Sequence, residues 1–190
     1  EGAPRKPMRD VAPLVRRPVA LDPLSTYHEL GIRSFGNGAF HKPAVSGSEI
    51  GEKRVFRIEP GDLLFSNVFA WEGAIAVAKP VDTGRIGSHR FITCVPSPEV
   101  ATAAFLCFYF LTDEGLEKIG AASPGGAGRN RTLGLGALAS IDVPVPPLYD
   151  QRWFEAVQVK ADTLKCVRAE TAAELDALVA RVRRVDRAER

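Results

Sequence analysis

The chain has little cysteine, little net charge and no long apolar run. Its three cysteines, Cys94, Cys107 and Cys166, are spread over 190 residues. Their number is odd and no two stand at CxxC spacing, which excludes a disulfide scaffold and a cysteine-rich zinc site. They read as small apolar core or helix residues in a reducing cytoplasm. No stretch of 18 apolar residues occurs, so no membrane span is predicted. His28, His41 and His89 lack a His or Cys partner at metal-ligand spacing. Each reads either as a surface or hydrogen-bonded residue or as a base or phosphate contact. No Asp or Glu is followed two positions later by Lys, the pairing that sets a carboxylate and an ammonium on a metal-bound water in many nucleases. Gly134-Leu-Gly136-Ala-Leu-Ala139 fits G-x-G-x-x-A. Yet Arg129-Asn130-Arg131-Thr132 precedes it instead of a buried strand, and position 155 lies in a helix, so a dinucleotide fold is excluded. No metal or cofactor is predicted, and the chain reads as a binding protein. Its first residue is Glu rather than Met, so it reads as a trimmed or excised piece.

The net charge is only +2, and charge is balanced locally as well: residues 1–149 hold 16 Lys+Arg and 15 Asp+Glu, and residues 150–190 hold 9 and 8. The arrangement is more informative. Three windows contain no acid: Leu30–Ser48, Thr83–Pro98 and Lys118–Ile141. They carry Arg33, His41 and Lys42; then Arg85, His89 and Arg90; then Lys118, Arg129 and Arg131. If they meet on one face, that face is basic on a neutral domain. The alternative is chance clustering.

What the chain has in abundance is a helical seam at its end. Phe154, Val157, Ala161, Leu164, Arg168, Thr171, Leu175, Leu178, Val182 and Val185 alternate at steps of three and four, an a/d heptad with one charged member. No Gly or Pro interrupts residues 150–187. A rod of roughly 57 Å follows from about 1.5 Å per residue. A domain of this size is too small to cover such a stripe, so the helix calls for a second copy or a second protein. The alternative is an amphipathic helix folded back on its own domain.

Before the rod, residues 1–24 read as a Pro-rich extended lead-in. Strands are predicted over 27–33, 53–58, 63–68, 74–78, 90–95 and 141–145 by alternation or apolar runs bounded by turn residues. Helices are predicted over 100–111 and 113–120, with one helical turn at 138–140. Residues 34–38 and 121–136 read as loops. Pro146-Pro147 starts the rod, since a helix N-terminus has no use for the missing N–H. The fold class is α+β: a small mixed domain of short strands over 1–147, then a long coiled-coil helix over 148–190.

The order of motifs resembles the specificity subunit of Type I restriction-modification systems. Arg57-Ile-Glu-Pro-Gly-Asp-Leu-Leu-Phe-Ser66 is similar to that family's Gly-Asp-Leu-Leu strand, and Trp71-Glu-Gly-Ala-Ile-Ala-Val77 to the segment after it. Ser88–Val95 resembles its Ser-containing strand. Phe105–Phe110 resembles its Tyr-Leu helix, with Phe110-Leu111 in place of Tyr-Leu. Ser123-Pro-Gly-Gly followed by Arg-Asn-Arg resembles its Gly-rich loop. Most specific is Ile141-Asp-Val-Pro-Val-Pro-Pro-Leu-Tyr-Asp-Gln151, with Asp150 where the family has Glu. The resemblance implies a DNA target recognition domain and one conserved spacer helix. It also implies partners: double-stranded DNA, a methyltransferase subunit, a restriction/translocase subunit, and an equivalent unit or second copy through the helix. The chain itself would be non-catalytic. Family members usually carry two such units; this sequence has one. Alternatives are the recognition tail of a fused methyltransferase/restriction enzyme, or a coiled-coil interaction adaptor without DNA readout.

Phosphate contacts position a DNA-binding protein and base-edge contacts specify the sequence, with Arg reading guanine and Asn or Gln reading adenine. The candidate contacts are Arg33, Asn37 and Lys42; His89 and Arg90; and Arg129, Asn130 and Arg131. The alternative for the last group is a solvated loop, and for Arg90 an internal ion pair. Trp71 reads either as a wedge at a groove or as core packing.

Overall fold

The computed structural model describes residues 2–125 and 131–188, with backbone alone beyond residue 178. The chain falls into two compact units, Glu1–Gln151 and Arg152–Arg190. In chain order the first contains β1 (Arg5–Pro7), α1 (Met8–Val11), β2 (Leu14–Val15), β3 (Thr26–Ile32), β4 (Ala39–Ser46), α2 (Gly47–Ile50), β5 (Val55–Arg57), β6 (Leu63–Ser66), a 3-10 turn (Ala70–Glu72) and β7 (Ile75–Val77). A second 3-10 turn (Pro80–Asp82) follows, then β8 (Ile86–Ser88), β9 (Phe91–Cys94), α3 (Ala103–Phe110), α4 (Asp113–Ala121), α5 (Leu135–Ala139) and β10 (Asp142–Pro144). The helix α6 (Leu148–Ala188) begins in this unit and supplies the second.

Two four-stranded sheets, ordered β2-β9-β6-β7 and β4-β3-β8-β5, and the pair β1-β10 make up the β structure. The central strand is β6. It is antiparallel to both β7 and β9, and Leu63, Leu64 and Phe65 have no exposed surface. Alternate residues face opposite ways along a strand. Leu63 and Phe65 therefore join the main cluster with Leu106, Phe110 and Ile119, while Leu64 joins Leu30, Ile58, Ala78 and Phe91. Burying each such side chain stabilises by about 1.5–3 kcal/mol. The Phe65 and Phe110 rings meet edge to face at 5.2 Å.

The turn entering β6 accounts for the Gly-Asp-Leu-Leu motif. Gly61 has a φ of +88°, which a side chain would disfavour. Asp62 is buried, accepts 2.7 and 3.0 Å bonds from the Arg17 guanidinium, and accepts the Glu59 N–H at 2.9 Å. Hydrogen bonding to Asp62 also holds the Arg17 pKa above its ordinary value.

Several elements differ from expectation. The Pro-rich lead-in is a structural part of the unit: β1 pairs with β10, β2 with β9, and Met8, Val11 and Ala12 lie in the main cluster. Prolines tolerate these short edge positions because no inward N–H is needed there. β4, with Pro43 inside it, and β8 are strands that alternation alone does not reveal. The strand expected over 63–68 ends at Ser66, and that expected from Arg90 begins at Phe91. Gly73, between β6 and β7, is the left-handed residue closing the first 3-10 turn. Within the discarded fingerprint, Leu135–Ala139 forms the five-residue α5 with Gly134 at its N-cap.

α3 is capped by Thr102, whose Oγ1 accepts the Phe105 N–H at 3.2 Å, and α4 by Thr112 in the same way. Gln151 closes the unit. It is fully buried; its Oε1 accepts the Thr102 N–H at 2.9 Å, and its Nε2 donates to the Val100 and Pro146 carbonyls at 3.0 and 2.8 Å.

Candidate nucleic-acid interface

The three acid-free windows meet, and they do so on a segment that composition does not single out: Ser66–Gly73. This stretch leaves β6, makes the 3-10 turn and enters β7. From the first window, the Phe35 N–H donates to the Glu72 carbonyl at 2.7 Å and the Gly36 N–H to the Gly73 carbonyl at 3.0 Å. Ser34 Oγ donates to Glu72 Oε2 at 3.0 Å. From the second window, the Arg90 carbonyl accepts the Asn67 N–H at 2.7 Å. From the third, the Leu133 N–H donates to the Asn67 carbonyl at 2.8 Å. All but the Ser34–Glu72 side-chain bond are main-chain bonds, and all join residues far apart in sequence, so the segment acts as a hub holding three loops together.

Around this hub stand most of the residues selected from the sequence. Arg33 is exposed; its guanidinium lies 4.6 Å from the Phe40 ring centroid and donates to the Ala39 carbonyl at 3.3 Å. Phe40 can lie across the strand pair because its cross-strand neighbour is Gly31; a Cβ there would collide with the ring. Asn37 is exposed and donates to the Ser34 carbonyl at 2.9 Å, closing its own loop. His89 and Arg90 are exposed in the turn between β8 and β9. Among the described residues the Arg90 guanidinium has no acidic partner. Arg131 stacks on Trp71, 5.2 Å from the ring centroid, and its backbone bridges to Gly125. Arg129 and Asn130 lie outside the described residues.

Trp71 is half-buried against the main core, and its Nε1–H donates to the Val68 carbonyl at 3.1 Å. With one edge bonded and Arg131 over the ring, it is placed as packing and a cation platform. Lys42 is placed elsewhere, on β4, with its ammonium 3.5 Å from Glu29 Oε2. Neighbouring His41 lies 2.7 Å from the buried Asp82. Both acids belong to segments outside the acid-free window, so an acid-free window is no guarantee of an acid-free surrounding.

Asn67 and Phe69 on the hub, and Phe35 on a loop bonded to it, escape sequence inspection. Asn67 reads as the tail of a buried strand, yet it carries two of the joining bonds. Its Oδ1 is buried and unpartnered. Phe35 and Phe69 are exposed aromatics on the joined loops. The SFGNG pattern signals a turn but not an outward ring.

Cys94 and Cys107 fit the apolar reading. Burial, reinforced by the Asp62 charge, pushes the Cys94 thiol up to about 12, and burial pushes Cys107 up to about 11. Cys166 is exposed on α6. Among the described residues no group of three or more His, Cys, Asp or Glu side chains stands where it could hold a metal ion, and no helix is long and apolar enough to cross a membrane.

The second unit presents the heptad side chains to solvent. Val157, Leu164, Leu175 and Leu178 are 42%, 70%, 59% and 57% exposed, and Ala161 and Thr171 are also exposed. Phe154 is half-buried. Val182 and Val185 fall on helical backbone whose side chains are outside the described residues.

No family model and no curated protein matches the chain. Nine solved chains are similar to this one, and two of them serve for comparison. One is the HsdS subunit from Thermoanaerobacter tengcongensis: TM-score 0.67, 22% identity, over 93% of this chain and 47% of that one. The other comes from work on complex assembly and conformational transition of the type I R-M system: TM-score 0.66, 22% identity, over 90% and 45%. The chain spans about half the length of these relatives. It shares the α+β fold and long C-terminal helix of the Type I restriction-modification HsdS specificity subunit.

Proposed function

We propose that this chain is a specificity component of a Type I-like restriction-modification system. Its first unit binds double-stranded DNA sequence-specifically, and its helix pairs with an equivalent helix, from a second copy or another unit. In this reading the chain is non-catalytic and works in the cytoplasm. A methyltransferase subunit and a restriction/translocase subunit assemble on it.

The observation that carries the reading is the convergence of three acid-free loops on Ser66–Gly73. It gathers Arg33, Asn37, His89, Arg90 and Arg131 around one segment of a domain with almost no net charge. Exposed cations, an amide and exposed rings on clamped loops are what phosphate positioning and base readout require. The fold likeness to the HsdS subunit supports the same reading.

Selection from a random duplex pool tests it, using the full chain with and without a Type I methyltransferase subunit. A defined sequence is expected to emerge, and Arg131→Ala or Arg90→Ala is expected to weaken its binding. Recovery of an unenriched pool under both conditions overturns the reading. An interaction adaptor would give that result.

A further inference from the structure

Phe35 is the described residue whose conformation packing explains least. Its φ is +61°, and among the described residues it is the one non-glycine with positive φ. For a bulky side chain this region is sterically unfavourable; Gly or Asn adopts it more readily. The ring returns nothing to the core, because the residue is 76% exposed.

The backbone beneath the ring is nonetheless held firmly. Phe35 and Gly36 donate to the Glu72 and Gly73 carbonyls, and Ser34 and Asn37 add side-chain bonds at 3.0 and 2.9 Å. A Cβ at Gly36 or at Gly73 would come within 3.3 Å of a Leu111 methyl, so the loop sits close on its support. Strain that the surroundings over-determine is found where function uses it. Phe69, on the same hub and one 3-10 turn from Glu72, is a second ring, 39% exposed. Arg33 and Asn37 flank Phe35 in a window without acids.

An outward apolar ring on a rigid loop, between a cation and an amide, suits a base stack. Trp71 suits it less, since its edge is bonded and Arg131 covers the ring. We propose that Phe35 is an apolar wedge that inserts at one base step of the bound duplex and partly unstacks it. This rests on the DNA-binding reading above.

The test uses the full chain and the duplex that the wild type selects from a random pool, with 2-aminopurine scanned along the site. Phe35→Asn removes the ring and suits the left-handed backbone. It is expected to raise Tm while weakening cognate binding about 10-fold or more, the scale of losing one base–aromatic stack. Phe35→Trp is expected to retain binding. Wild type is expected to brighten 2-aminopurine at one step, and Phe35→Asn to leave it dark. Equal binding by Phe35→Asn, with no brightening by wild type, overturns the wedge and leaves the DNA reading standing. A loss confined to one thymine and reproduced by replacing that base with uracil means a methyl contact, which also overturns the wedge. If the wild type selects no duplex at all, the underlying reading fails and the wedge with it.

Discussion

Gln151 has no exposed surface, and both ends of its amide are bonded. It ends the motif that begins at Ile141, and its role is architectural: it satisfies the Thr102 N–H just ahead of α3 and the Val100 and Pro146 carbonyls. Removing a buried partner costs the desolvation of every group left behind, about 1–3 kcal/mol each in the unfavourable case. Gln151→Ala is therefore expected to lose about 3 kcal/mol of stability, read as a lower urea midpoint at unchanged slope. A midpoint within error of wild type would show that water replaces the amide without loss. Asp62 belongs to the same kind of residue. In both, the motif is legible in the sequence, but its reason is not, because Arg17 for Asp62, and Thr102 and Val100 for Gln151, lie 45 or more positions away.

At the scale of elements, α6 is the one that periodicity describes best. Its 41 residues make a helix of about 60 Å. The exposed Leu164, Leu175 and Leu178 keep the seam that spacing predicts available for a partner. One detail changes. Thr171 Oγ1 donates to the Val167 carbonyl of its own helix at 2.9 Å. Its hydroxyl is thus already engaged, leaving Arg168 as the polar seam member with the means to set register. Leu175→Asp with Leu178→Asp is expected to abolish pairing in sedimentation while near-UV circular dichroism of the first unit stays native. A wild-type monomer at micromolar concentration would remove self-pairing and leave an equivalent helix from another chain.

Strands were harder to read than helices for a physical reason. β8 has three residues and carries Gly87, while β4 has eight but contains Pro43 and alternates weakly; sheet neighbours rather than local preference hold both. The extended lead-in was visible in its prolines. That it forms an edge of two sheets depends on β9 and β10, which lie far along the chain.

For the whole molecule the relevant quantity is where charge lies. With a net charge of +2 there is no strong general attraction to DNA. If Arg33, Arg90 and Arg131 each displace one condensed counterion, the slope of log K against log salt is expected near about −2.7, at about 0.9 per contact. Arg131→Ala then brings it to about −1.8. An unchanged slope would assign Arg131 to its stack on Trp71 alone. Lys42→Ala is expected to leave the slope as it is, since the ammonium faces Glu29.

By itself the sequence determined the α+β class, the order of motifs, the helix and its seam, and the three windows without acids. All are carried along the chain by periodicity and composition, and need no knowledge of distant neighbours. Only the tertiary structure decided that those windows join at Ser66–Gly73, that Lys42 and His41 face Glu29 and Asp82, and that Phe35 stands outward at a strained angle. Each of these is set by a bond between residues remote in sequence, and local preference has no access to it.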